Sequence, residues 1–108
     1  MDFRLSFAAS ARSDIEEAFG YIYGDSPEAA VRRLMRLEQS LDDLLVDPLV
    51  FDPIPESHSV PSLSIYRSFN HHSHRVIYSV HPEEETVRIH RLYHGSRKPI
   101  RERDIPKR

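Results

Sequence analysis

An α+β domain of element order β-α-α-β-β-β is what this sequence predicts, with a helical hairpin on one face of an antiparallel-dominated four-stranded sheet. Three observations carry that expectation. Residues 63–99 fall into three runs of alternating apolar and polar residues, LSIYRSF, HRVIYSV and TVRIHRLY, separated by turn-forming stretches. The first residues alternate in the same way, and between these two regions the apolar period changes from two to that of a helix.

Asp2 to Phe7 sets Phe3, Leu5 and Phe7 against Asp2, Arg4 and Ser6, as a strand with one buried face does. This strand should join the same sheet, although pattern alone does not place it. Ser10 or Ser13 is expected to cap the first helix, and Ser13 with Glu16 fits a capping box. Ile15, Ala18, Phe19 and Ile22 follow at helical spacing, and Gly24 is the expected stop. Ser26-Pro27-Glu28 restarts the helix with a cap, a proline in the first turn and an early carboxylate. Ala30, Leu34, Leu37, Leu41, Leu44 and Leu45 then form an apolar stripe reaching about Val46, which reads as core. So short a joint makes the two helices an antiparallel hairpin.

Residues 47–61 hold four prolines, too many for a long helix or a central strand, and read as a solvated connection. Its Glu56, Ser57 and His58 are candidates to border a site, with a solvated connection the preferred reading. In the meander, Leu63, Ile65, Arg67 and Phe69 share one side of the first run; Val76, Tyr78 and Val80 share one side of the second, with Arg75 and Ile77 opposite. Arg91-Leu92-Tyr93 breaks the alternation of the third run, which predicts a bulge or the strand end. Arg88 and Arg91 read as exposed residues blunting an edge. The tail, about residues 98–108, is charged and proline-broken, and is expected to fray or to dock on a partner. The second sheet face, with a positively charged rim, is thereby left free for binding.

One domain over residues 1–108 suits this length. There is no repeat and no linker. With no cysteine, neither disulfides nor thiolate metal sites are available, and no apolar run has the length of a membrane span. A cytoplasmic location is expected, with no membrane partner. Charge is split along the chain: residues 1–56 carry a balance of −7, residues 57–108 one of +5 and all seven histidines. Such asymmetry suits an anionic partner for the second half, or simply a helical half rich in Asp and Glu. His71, His72 and His74 cluster at a turn, which reads as a solvated turn; no metal and no cofactor are expected.

ARSDIEEAFGYIYGDSPEAA (with Asp14, Tyr21, Ser26, Pro27 and Ala30), LLVDP, YRSF, HRVIYSV and VRIHRLYHGSRKP together resemble the RelE/ParE superfamily of type II toxin–antitoxin toxins. The match spans nearly the whole chain, and the SPEAA block is closer to the ParE branch. The resemblance implies neutralisation by a cognate antitoxin whose C-terminal segment wraps the helical hairpin and sheet, with DNA contacted only through the antitoxin. Apolar ridges from Ile15, Phe19, Ile22, Leu34 and Leu41 are expected to offer that antitoxin a docking surface.

Two activities follow from the two branches. The ParE-like branch inhibits DNA gyrase by binding it; the RelE-like branch cleaves mRNA on the ribosome. For the second, Arg67, Arg75, His94 and Arg97 are the candidate catalytic set, because metal-free cleavage needs an acid, a base and cations for the phosphorane charge. For either target, Arg67, Arg75, Tyr93, His94, Arg97 and Lys98 are the candidate contact residues. The nuclease set is incomplete: paired lysines on the second strand are missing, and nothing beyond Arg97 is aromatic. That favours the gyrase-binding reading, with an inactive member that only binds antitoxin as a further alternative.

Overall fold

A computed structural model describes residues 2–94 and 99–106. The elements are β1 (Arg4–Phe7), α1 (Ala9–Asp25), α2 (Pro27–Val46), β2 (Tyr66–His71), β3 (His74–His81) and β4 (Thr86–His94). Short 3-10 turns occupy much of the connections. The sheet order is β1-β4-β3-β2, with β1 parallel to β4 and the other pairs antiparallel. The expected α+β order stands.

The helical hairpin forms for the reasons its sequence suggests at the joint. Ser26 Oγ accepts the Ala29 N–H at 3.3 Å, and Pro27 opens the first turn of α2. Ala30, Leu37, Leu41 and Leu44 lie buried along one side of α2. They meet Phe69, Val76, Tyr78, Val87, Ile89 and Leu92 from the sheet in the main core. Tyr78 is fully enclosed, and its hydroxyl donates to the Pro48 carbonyl at 2.8 Å, pinning the turn after α2 to the sheet.

The start of α1 differs from the expectation. Neither Ser10 nor Ser13 caps it: Ala8 is the N-cap, and no side chain bonds there. Ala8 N–H instead extends the β1–β4 ladder to the Ile89 carbonyl at 2.9 Å, so strand passes into helix without a turn. Gly24 is not the stop either. The helix continues to Asp25, and the Ser26 N–H bonds the Ile22 carbonyl at 2.8 Å.

The first meander run is shorter than expected. Pro61 opens a 3-10 turn over Pro61–Ile65, so Leu63 and Ile65 are not strand residues. Leu63 is buried while Ile65 is 62% exposed, which no shared strand side would allow. The expected break in the third run is a β-bulge. Ile77 pairs with Arg91 and Tyr78 with Ile89, leaving His90 as the extra residue.

The largest departure is the sheet's second face. It is not free. Ile54 and Leu63 from the proline-rich segment, Ile100 and Ile105 from the tail, and Ile77 from β3 form a second buried cluster, flanked by Val60, Tyr66 and Tyr93. Ile54 N–H bonds the Tyr66 carbonyl at 2.9 Å, and Pro53 bridges to Arg67, so the segment also shields the β2 edge. The tail neither frays at Ile100 and Ile105 nor waits for a partner there: each is 3% exposed. Bulky aliphatic residues gain from burial even when isolated by prolines, since the hydrophobic effect needs area and not periodicity.

Candidate functional site

The distal half of β4 builds the site. β1 ends opposite Ile89, so beyond that point one edge of β4 has no strand neighbour. Helix α1 takes over. Ser10 Oγ donates to the His90 carbonyl at 2.8 Å, and the Asp14 carboxylate accepts the Leu92 N–H at 3.0 Å. Backbone groups that would otherwise lack partners are satisfied by side chains of the packed helix. Asp14 also takes two bonds from Arg91, at 2.7 and 3.0 Å, while Arg91 Nη1 donates to the Asp104 carbonyl at 2.6 Å. Arg91 therefore ties α1 to the C-terminal segment, and the Asp14 carboxylate holds its pKa above the usual guanidinium value. Its guanidinium carbon lies 5.6 Å from the Tyr93 ring centre, within cation–π range.

A cleft of about 450 Å³ opens beside this node, between α1, the start of α2 and the ends of β3 and β4. Asp14, Glu17, His74, Arg91, Tyr93 and His94 line it, with Tyr21 and Ile22 on the helical wall. His74 and His94 are register partners, their rings edge-on with centres 5.1 Å apart. Tyr93 and His94, two of the residues named for target contact, both line this cleft.

The arginines are not. Arg67 is paired with Tyr78, on the helix-covered face, and its Nη1 donates to the Phe51 carbonyl at 2.5 Å. Arg75 is paired with Asn70 and Tyr93, on the opposite face. There it makes a two-pronged ion pair with Glu56 at 2.7 and 2.6 Å, and Glu56 also accepts the Ile100 N–H at 3.0 Å. The Arg75 bond holds the Glu56 carboxyl down to about 2, and the same bond raises Arg75. Both side chains are mostly withdrawn from water, at 17% and 13% exposure. The Glu56 stretch is therefore not a solvated connection but the clasp holding the tail segment to the sheet. Arg97 and Lys98 lie outside the described residues, so the expected common basic rim has no described counterpart.

Other expectations shift as well. Arg88 and Arg91 are half-buried and bonded, Arg88 to Ser6 Oγ at 2.6 Å, and do not blunt an open edge. His71 is buried rather than solvated, and burial lowers its pKa. His72 adopts a φ of 54° in the tight turn between β2 and β3. The bulge residue His90 lies buried with Nε2 2.7 Å from Ser79 Oγ, which also sits 2.8 Å from His81 Nε2. Burial pushes the His90 pKa down to about 4. Among the described residues, no group of three or more His, Asp and Glu side chains is arranged to hold a metal ion.

Of the apolar ridge assigned to an antitoxin, Leu41 is buried in the main core, and Ile15 and Phe19 pack against it half-buried. Leu34 is 36% exposed; Val31 and Met35 beside it, at 51% and 63%, and Tyr23 on α1, at 59%, are the more exposed members of this surface. Sequence reasoning missed the Glu56–Arg75 clasp and the Asp14–Arg91 node. Asp14 did stand within a family-like stretch, but its partner lies 77 residues away.

The architecture, a short first strand, a helical hairpin and a three-stranded meander, is a RelE-like fold. In structure the chain is similar to a chain of the toxin–antitoxin complex RelBE2 from Mycobacterium tuberculosis, at 23% sequence identity and a TM-score of 0.60, over 87% of this chain and 99% of that one. Among curated proteins none matches. The family profile for the ParE toxin of the type II toxin–antitoxin system parDE matches residues 5–99. The chain belongs to the ParE toxin family of type II toxin–antitoxin systems.

Proposed function

We propose that this toxin acts in the cytoplasm by binding DNA gyrase and blocking its supercoiling activity, and that a cognate antitoxin neutralises it. The observation that carries this reading is the state of Arg75. A phosphate-binding arginine in a nuclease must offer its guanidinium to the scissile group. Arg75 instead spends both terminal nitrogens on Glu56, while Arg67 points to the other face of the sheet. Breaking a largely buried, two-pronged pair to receive a phosphate would leave a carboxylate without its cation. A binding toxin has no such requirement, only a surface.

The antitoxin surface in this reading is the outer side of the hairpin, where Tyr23, Val31, Leu34 and Met35 are exposed beside Arg32 and Arg36. An amphipathic segment with apolar anchors and acidic flanks suits it. Purified gyrase, relaxed plasmid and the chain test the proposal directly. Supercoiling should stop, and it should resume when antitoxin is added. Codon-position cuts in translated mRNA with normal supercoiling would replace this reading with the ribosome-dependent nuclease. Leu34→Glu should weaken antitoxin binding by about tenfold or more, since a central apolar anchor typically costs above 1 kcal/mol.

A further inference from the structure

The hairpin surface is not the only exposed apolar patch. Immediately after α2, Val46, Leu49, Val50 and Phe51 are 87%, 57%, 58% and 37% exposed. Four large apolar residues in six positions is far more than the scatter normal for a protein surface. Apart from Arg67, whose guanidinium is bonded to the Phe51 carbonyl, their charged neighbours are all acidic. Asp42, Asp43, Asp47 and Asp52 are exposed, and none has an ion-pair partner among the described residues. From Leu37 to Tyr66 the sequence holds no lysine or arginine at all.

A pocket of about 300 Å³ opens within this patch. Leu44 and Phe69, both buried, form its floor; Val50 and Phe51 form its wall; Asp43 and Asn70 stand at the rim. Phe51 and Phe69 are stacked with ring centres 5.2 Å apart. Such a pocket takes a side chain with an apolar stem and a cationic head, the stem on the rings and the head at Asp43.

We propose that this acidic, apolar turn is where the toxin grips its target, and that the element gripped is a polypeptide segment carrying arginine or lysine beside an apolar anchor. The proposal rests on the reading that the chain works by binding a protein. Charge disfavours the other macromolecular class, because a phosphate backbone would meet four aspartates against the single guanidinium of Arg67, itself bonded to the Phe51 carbonyl. Charge also separates this patch from the hairpin surface. Val31 and Val46 are 15 residues apart on one helix, about 20 Å, and the first is flanked by Arg32 and Arg36 while the second is flanked by aspartates. A segment complementary to one surface is repelled by the other, so antitoxin and target meet different ends of α2.

Three variants test this: Asp43→Asn with Asp52→Asn, Asp43→Arg with Asp52→Arg, and Val50→Ser. All change exposed side chains. Growth arrest on induction, inhibition of gyrase supercoiling and antitoxin affinity by calorimetry are the readouts. The neutral pair should weaken target inhibition by about tenfold and the reversed pair by about a hundredfold, because rim charges steer and select partners. Antitoxin affinity should stay within about twofold of wild type, as expected for a separate site. Full arrest by the reversed pair would overturn the proposal, as would an equal loss of antitoxin binding. If the wild type arrests growth without touching supercoiling while the reversed pair does not arrest, the docking surface stands and the gyrase assignment falls. A wild type that never arrests growth removes both.

Discussion

The two faces of the sheet are covered by opposite means. One receives a helical hairpin whose apolar residues recur along α2 at Ala30, Leu37, Leu41 and Leu44. The other is covered by single aliphatic side chains, Ile54, Leu63, Ile100 and Ile105, set among prolines and charges in segments without regular structure. Both faces end up buried. Periodicity announces the first layer, whereas the second is assembled from residues that only tertiary contact makes meaningful. What holds the second layer is accordingly polar and specific: the Glu56–Arg75 clasp, the Ile100 N–H on the same carboxylate, and Arg91 reaching the Asp104 carbonyl.

The sharpest way to break this contrast is to empty each face in turn. Leu37→Ala in the helical layer should cost about 2–5 kcal/mol, the usual range for a buried leucine. Ile54→Ala should cost a similar amount, because Ile54 is as fully enclosed as any residue of the main core. Urea unfolding of the two variants measures both. A loss below about 1 kcal/mol for Ile54→Ala would make the second layer a loose cover, since surface-like sites are usually within about half a kcal/mol of neutral.

That contrast also explains what was legible from sequence. The hairpin, the Ser26 cap, the meander and the break after Ile89 all rest on local pattern, and all appear. The sides of the separate strands were legible too: Arg67 does share a side with Phe69, and Arg75 does lie opposite Val76 and Tyr78. Missing was the register that joins them. Pairing Phe69 with Val76 across the tight turn sets Arg67 with Tyr78 and Arg75 with Asn70, and puts the two arginines on opposite faces. Glu56 could be named only as a candidate border of a site; nothing local pairs it, one of six carboxylates between Leu37 and Tyr66, with Arg75 on β3.

A pH series sharpens the comparison further, because the second face carries His90 and the Glu56–Arg75 pair, against His71 on the helix-covered face. The folded state holds the His90 pKa near 4, below its ordinary 6.5, since burial disfavours the charged ring. The unfolded chain then binds the extra proton as pH falls below about 6.5, so stability drops between roughly 6.5 and 4 and levels below that. The full step is on the order of 3 kcal/mol at the ordinary exchange rate between pKa and free energy. Glu56, held at about 2 against an ordinary 4.5, adds a separate loss as pH falls through that lower window. His90→Phe should reduce the upper step in denaturation curves from pH 7 to 2, leaving the share that buried His71 contributes and the lower step. An unchanged upper step would mean that His90 is not shielded from water as described.

The smallest effect tests the hairpin itself. A glycine that stops a helix usually holds a left-handed backbone, and alanine there is strained. Gly24 lies inside α1, has no positive φ, and a Cβ built on it would meet nothing within 4 Å. Gly24→Ala should therefore stabilise the protein by about 0.5–1 kcal/mol, the helix-propensity gain over glycine. A melting temperature that falls instead would put the helix end at Gly24 and return the joint to Ser26 alone. The sign of one small change thus separates a helix that runs through its glycine from one that stops there, and with it whether the last turn of α1, which carries the exposed Tyr23, is regular helix.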